Sequence, residues 1–329
     1  MITTTNLRTI GAAIACAATL FAAAPVAAQF PTGDKISIVV PYSPGNGLDL
    51  LGREFSEILQ GQMNKAVIVE NREGAAGVIG TQFAMRAQPN GQTLLFTANP
   101  PFVTSPFTFE KPPYDALTSF TPVARVGSVP LVLVTSSKSS IRDLEQLKAF
   151  VRKDPKAASY ASAGAGSPGQ IFGELLNQAA GLQLEEIRYK ATGQALTDVI
   201  SGNVLVSLVS VTAAAQHIRS GTLTALAVGS RQRLPDFKDV PTLAEALGQK
   251  DFEAGVWYGF FAPAGTPPDK VQGMYAEIAK AAGSKRMTAF MTRQYMVPEL
   301  LKPDEFAQAL RRDADTARSL SRLSLNKSK

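Results

Sequence analysis

Short apolar runs alternate along this chain with longer stretches whose apolar positions recur every three or four residues. The runs at 36–40, 66–69, 93–97, 131–134, 204–211, 223–228 and 256–261 predict β-strands. After 36–40 come Pro41 and a Gly/Asn/Pro loop. A segment with Leu51, Phe55, Ile58 and Leu59 on one helical face follows. That is strand, tight loop, helix. Repeated alternation of this kind predicts an α/β fold with parallel-rich sheets.

Several helix starts are legible. Ser140-Ile141-Arg142-Asp143 is a capping-box pattern ahead of Leu144, Leu147 and Val151. Ser167-Pro168-Gly169-Gln170 places Ser at the N-cap, Pro at the first helical position and Gln at the third. The helix stops at Gly181. Thr266-Pro267-Pro268-Asp269 is expected to open another helix in the same way. There is no repeat and no low-complexity linker, so a second domain would be an insertion with short crossovers.

At 329 residues the chain can build two domains. Residues 1–28 carry one charged side chain, Arg8, then an apolar stretch from about 10 to 24, then Ala24-Pro25-Val26-Ala27-Ala28. These features predict a secretory signal peptide cleaved after Ala28. Its loss removes Cys16, the sole cysteine, so disulfide, thiolate-metal and cysteine-nucleophile chemistry are excluded. It also leaves 32 basic and 27 acidic residues, a net charge of +5. The basic residues are scattered and no base-reading motif is present, which argues against a nucleic-acid partner.

The loop Gly45-Asn46-Gly47 lacks the Gly-Lys-Ser/Thr of a phosphate loop. It reads either as an ordinary turn or as an anion-collecting helix N-terminus. Residues 160–174, YASAGAGSPGQIFGE, satisfy G-x-G-x-x-G through Gly164, Gly166 and Gly169, with Glu185 and Glu186 near the usual offset of a ribose-binding acid. The lead-in ASYASA is not the apolar strand of a dinucleotide fold, so a second anion-collecting helix start is the better reading. His217, the only histidine, cannot make a metal cluster. No G-x-S-x-G elbow accompanies it, and a helix-end position is expected. Trp257 and Tyr258 read as core, with Trp257 facing a cleft as the alternative.

The ordered blocks VVPYSPGNGLDLLGR, VIVENREGAAGVIGT, PNGQTLLF, YASAGAGSPGQIFGELL, YKATGQALTDVISG and WYGFFAPAGTPP resemble the solute receptors of the tripartite tricarboxylate transporter family, the Bug-type periplasmic receptors. The resemblance spans about 30–313. It implies an α/β fold of the two-lobed periplasmic-binding-protein type (type II-like), each lobe a mixed, parallel-rich sheet flanked by helices. The lobes would be 29–125 plus 256–329, and 126–255, joined by crossover strands in ARVGSVP and EAGVWYG. It also implies a periplasmic location, no cofactor, no metal, a monomer, a small organic carboxylate as ligand and membrane permease subunits as partners. Carried over by position, the ligand residues would be Tyr42, Pro44, Gly45, Asn46, Gly47 and Asp49; then Thr97, Ala98 and Asn99; then Ser162, Ala163, Gly164, Gly166 and Ser167; then Tyr189, Ala191 and Thr192. No residue is assigned to catalysis, and Asp49 is expected to structure its loop.

This chain departs from the family pattern at Asn46, Leu48, Gln170 and Ala191. In GNVLVSLVSVT it has Leu205 and Val209 where the family commonly has aspartates. The second loss would remove a partner for a ligand ammonium, so the expected ligand is a carboxylate without a charged amine. A sensor feeding a signalling partner is the alternative, and an enzyme acting on an organic acid a weaker one. The tail after Asp313 is expected to fray at its end.

Overall fold

A computed structural model of the chain describes residues 33, 35–99, 102–103, 113–164, 167–250 and 252–327. The predicted signal peptide and Gly166 lie outside them. No helix among the described residues is long and apolar enough to cross a membrane.

The first part of the chain runs β1 (Lys35–Val40), α1 (Gly47–Met63), β2 (Ala66–Asn71), α2 (Val78–Met85), β3 (Thr93–Ala98) and β4 (Phe120–Ser136). Next come α3 (Leu144–Lys153), β5 (Ser159–Ser162), α4 (Pro168–Ala180), β6 (Glu185–Arg188), α5 (Thr192–Ser201), β7 (Val206–Ser210), α6 (Val211–Arg219), β8 (Leu223–Val228) and α7 (Leu243–Leu247). The chain finishes with β9 (Gly255–Pro263), α8 (Pro268–Ala282), α9 (Lys285–Arg293), β10 (Val297–Leu301) and α10 (Pro303–Lys327).

The strands follow the order β2-β1-β3-β9-β4-β7-β5-β6, with β10 and β8 also paired to β4. The path has two halves that share β4. In the first half β1 is parallel to β2 and β3, and β9 runs antiparallel between β3 and β4. In the second half β5 is parallel to β6 and β7, and β7 is antiparallel to the far end of β4. The changeover is continuous: Pro130 pairs with Gly255, and the next residue, Leu131, donates its N–H to the Ala254 carbonyl.

Strand alternation sorts the side chains into cores on two faces. On one face, the front, Val129 and Tyr258 join Phe55, Phe96 and Phe260, while Leu131 and Leu133 join Tyr160 and Leu208. On the back, Trp257 and Phe261 pack with Phe306, while Val132 and Val134 pack with Val209, Ala214 and Ala215. Phe96 and Phe260 stack with centroids 4.2 Å apart, and Phe55 meets Phe260 edge-on at 5.1 Å. Burying one such ring contributes roughly 1.5–3 kcal/mol, which anchors α1 on the sheet.

Ser167 caps α4, Pro168 opens it and Gly181 closes it at φ 63°, as the sequence predicts. Other expectations need correction. The cap of α3 is Asp143, not Ser140; its carboxylate accepts the Gln146 N–H at 2.7 Å. Thr266 does not cap α8, because its hydroxyl donates to the Pro263 carbonyl and the N-cap is Pro267. ASYASA does contain a strand, β5, paired in parallel on both sides, with Tyr160 buried in the front core. The 204–211 run is strand only over Val206–Ser210, because Ser210 caps α6. The tail after Asp313 is helical to Lys327, and the end that is expected to fray lies outside the described residues.

Candidate functional site

Two regions at the carboxyl ends of parallel strands carry the sequence-predicted residues. The first is the turn from β1 into α1. Asn46 is the N-cap: its side-chain oxygen accepts the Asp49 N–H at 3.0 Å, and its amide donates to the Ser43 carbonyl at 2.6 Å. Asp49 is 1% exposed. One of its carboxylate oxygens accepts from the Gly45 N–H at 2.8 Å and from Arg53 Nε at 2.9 Å; the other accepts from Asn71 Nδ2 at 2.9 Å. Burial pushes the Asp49 carboxyl up, but the bonds from Arg53, Gly45 and Asn71 and the Arg53 charge together outweigh it. The group sits below its usual range. Asp49 therefore fixes the loop from beneath, with both oxygens engaged.

Around this turn stand hydroxyl groups. Tyr42 is half-buried against Gly77, and burial raises its phenol to about 12 against the effect of the neighbouring Thr97. Tyr258 is raised to about 12 by burial and by the nearby Tyr42. A side chain on Gly47 would lie 3.9 Å from its hydroxyl. Thr97 Oγ1 is buried without a hydrogen bond in ordinary geometry. Asn99 is buried, and its side-chain oxygen accepts the Trp257 N–H at 2.7 Å, so one of its two polar atoms holds β9 in place. Ala98 pairs with Tyr258 in the sheet, and Pro44 is exposed at the rim.

The second region is a cavity of about 120 Å³. Ser167, Pro168 and Gly169 at the start of α4, Thr192 at the start of α5 and Ser210 at the N-cap of α6 all line it. Three helix N-termini thus converge on one space. Leu131, Ala161, Val209 and Val256 supply an apolar wall, and no lining residue is charged. Gly169 lets α4 come this close, since a Cβ there would meet the Leu208 carbonyl at 2.9 Å. Two of the three ends carry side-chain caps, Ser167 on the Gln170 N–H and Ser210 on the Ala213 N–H. The α5 end, at Ala191, has none. The first N–H groups of a helix have no intrahelical partner, and they carry the positive end of its dipole.

A polar chain holds the loop above this cavity. Ser162 donates to Glu186 at 2.7 Å, accepts from the Gly164 N–H at 3.0 Å, and Arg188 pairs with the other Glu186 oxygen at 2.9 Å. Gly164 takes φ 89°, which a glycine adopts without strain. Tyr189 points its hydroxyl at Asp198, 2.6 Å away, so that hydroxyl is committed within the chain.

Of the sequence-predicted residues, Ser162, Ala163, Ser167 and Thr192 line the cavity. Tyr42, Gly47, Asp49, Thr97, Ala98 and Asn99 gather around the first turn instead. The two regions meet on β9: Val256 lines the cavity and Tyr258 stands at the first turn, two residues apart on one face. Trp257 points the other way, into the back core, where Nε1 donates to Asp313 at 2.6 Å. Sequence reasoning missed Val256 and Leu131, which no local motif marks; it named Glu186 only at the offset of a ribose-binding acid, and Tyr258 is core as read. His217 lies in the last turn of α6 and takes no part.

A family model described as tripartite tricarboxylate transporter family receptor matches residues 51–318. Protein BugT of Bordetella pertussis is 35% identical over 289 residues, 88% of each chain. A TctC solute-binding protein from Polaromonas, solved with no ligand, superposes with a TM-score of 0.79 at 25% identity, covering 89% of this chain and 98% of that one. MatC from Rhodopseudomonas palustris, solved with bound malate, superposes with a TM-score of 0.67 at 25% identity, covering 87% and 98%.

Proposed function

This chain belongs to the receptor family of the tripartite tricarboxylate transporters, and from that premise we propose that it captures one small carboxylate lacking a charged amine. Receptors of this family are periplasmic solute-binding proteins that serve a membrane transporter. In this reading the chain binds its ligand without turnover, is exported through a leader cut after Ala28, and hands its cargo on as a monomer. The lobes are 29–125 plus 256–329, and 126–255.

The observation that carries the reading is the cavity where three helix N-termini meet with no charged side chain. Backbone N–H groups stabilise a carboxylate there without a buried side-chain cation, whose desolvation would be expensive. The ligand's carboxylate sits at the α5 end beside Thr192 and Ala191, near the Ser162–Ser167 loop. The first turn, with Tyr42, Pro44, Gly45, Asn46, Gly47, Thr97, Ala98 and Asn99, closes over the remainder. Val209 lines the cavity at a position where the family resemblance implies an aspartate, so nothing in the wall pairs with an ammonium. The malate held by MatC is a carboxylate of this kind.

Thermal unfolding of the chain from Gln29 against a panel of organic acids and amino acids tests this. A ligand at about 100 times its Kd adds roughly 2.7 kcal/mol. The expected result is a rise of several degrees with one class of amine-free acid, which is recovered unchanged. Tight binding of an amino acid, chemical conversion of the acid, or no response to any carboxylate would contradict the reading.

A further inference from the structure

Both cores of the second half contribute to the cavity. Leu131 and Leu208 reach it from the front cluster, and Ala161, Ala195 and Val209 from the back one. With the half-buried Val256 they form an apolar wall around about 120 Å³. A dry apolar cavity of about 150 Å³ holds a benzene ring, so this space takes a carboxylate and a few carbons. Among the described residues no Lys, Arg or His lines it. Its side-chain donors are few and partly committed. Ser162 donates to Glu186 at 2.7 Å, and Ser207 to the Ala161 carbonyl at 2.8 Å. The Ser167 and Ser210 oxygens accept from their own helices. Of the three helix starts, only that of α5, where Thr192 lies, has no side-chain cap. That is provision for one carboxylate, not for two.

The neighbouring first turn is no better suited to a second carboxylate. Its buried acid, Asp49, already takes Arg53 and the Gly45 N–H, and Arg53 also donates to Asn71. At the rim Ser43 donates to another acid, Glu73. The turn thus carries two acids, and the guanidinium beside it is engaged. Burial keeps the Tyr42 and Tyr258 phenols protonated, both raised to about 12, so they are neutral groups at neutral pH. A short diacid held wholly in the cavity brings two like charges to about 4 Å with no cation between them. A diacid long enough to follow β9 from Val256 to Tyr258, about 7 Å, carries its second charge toward Asp49 and Glu73. Both arrangements are repulsive.

We infer that the site takes monocarboxylates and rejects diacids: the ligand carries a single negative charge, and the part of it that meets the first turn is uncharged. That part is a carbon chain, a ring or a neutral polar group such as an amide. The selection works by exclusion, through an apolar wall without a cation and a turn that already holds acids. The inference rests on the receptor reading and narrows it from amine-free carboxylates to those with one charge.

The test is titration calorimetry of the chain from Gln29 with acids matched in size. The sets are butanoate, succinate and succinamate; hexanoate, adipate and adipamate; benzoate, terephthalate and 4-carbamoylbenzoate. In each set the half-amide keeps the shape of the diacid and drops one charge. In the set that binds best, the monoacid or the half-amide is expected to bind at least tenfold more tightly than the diacid. A diacid that binds as tightly as its half-amide would overturn the inference and leave the receptor reading intact. No binding by any of these acids would overturn both. Val256→Lys places an ammonium between the cavity and the first turn, and circular dichroism confirms that the variant is folded. Its preference for half-amide over diacid is expected to fall at least tenfold, and an unchanged preference would also overturn the inference.

Discussion

The α1 turn and the α4–α5–α6 cavity are both helix N-termini at strand ends, yet they spend their donors differently. At the α1 turn the chain supplies its own anion. The buried Asp49 carboxylate takes the Gly45 N–H, Arg53 and Asn71, and Asn46 takes the Asp49 N–H. At the cavity the α5 end has no side-chain cap and no acid is among the lining residues. The comparison teaches that glycine-rich loops of similar appearance can have their helix-start donors taken by the chain itself or left without a side-chain acceptor. What separates them is whether a carboxylate of the chain already occupies the site.

The largest expected effect breaks the first region. Asp49→Ala leaves the Gly45 N–H, the Asn71 amide and Arg53 without their shared acceptor. Charge-assisted bonds contribute about 1.5–3 kcal/mol, so a loss of about 3 kcal/mol is expected. Calorimetry should record it as a fall in Tm of roughly 6–12 °C. The sign with pH follows from the direction of the shift. Asp49 lies below its ordinary value of 3.8, so its stabilisation is fully present above that pH and is lost as pH falls through the folded value. Asp49→Asn should therefore flatten the acid limb of the stability curve below pH 3.8.

Val209→Asp inverts the second region by placing a carboxylate in its apolar wall. Affinity for the amine-free acid should fall at least tenfold by titration calorimetry, and an amino acid should become the better ligand. Ala191→Asp makes the second region resemble the first, because it gives α5 the cap it lacks. Stability should rise by about 1 kcal/mol, while carboxylate binding weakens as the new side chain competes for the same N–H groups. A variant that gained stability and kept full affinity would place the ligand elsewhere. The smallest effect is expected at Asp313→Asn. Burial raises the Asp313 carboxyl, although its bond from Trp257 and the Arg125 charge pull it down. The ionised form therefore carries a cost that appears as pH rises, and the amide still accepts from Trp257. Tm at neutral pH should change by no more than a few degrees.

What was legible in the sequence was chemistry set within four or five residues. Ser167-Pro168 at one end of α4 and Gly181 at the other declare that helix because caps are local. Asp49 and Arg53 sit one turn apart, which makes the loop-structuring role readable. Illegible features depend on distant partners. β4 continues from Phe120 through Pro122 and Pro130 because β9 and β10 pair with it, whereas its sequence offers an uninterrupted run only at 131–134. β5 has Tyr160 as its one large side chain and is held by neighbours on both sides. The cavity draws Leu131, Ala161, Val209 and Val256 from four strands, and Glu186 reaches the loop only through the β5–β6 register.

The most direct test of the central claim is a backbone amide titration by NMR with the acid that raises Tm most. The account predicts the largest shift changes at Thr192, Gly193 and Gly169, with Gly45 and Asp49 moving less because their N–H groups are already bonded. Dominant changes at Gly45–Asp49 with a silent α5 terminus would contradict it, and the assignment of the two regions would have to be exchanged.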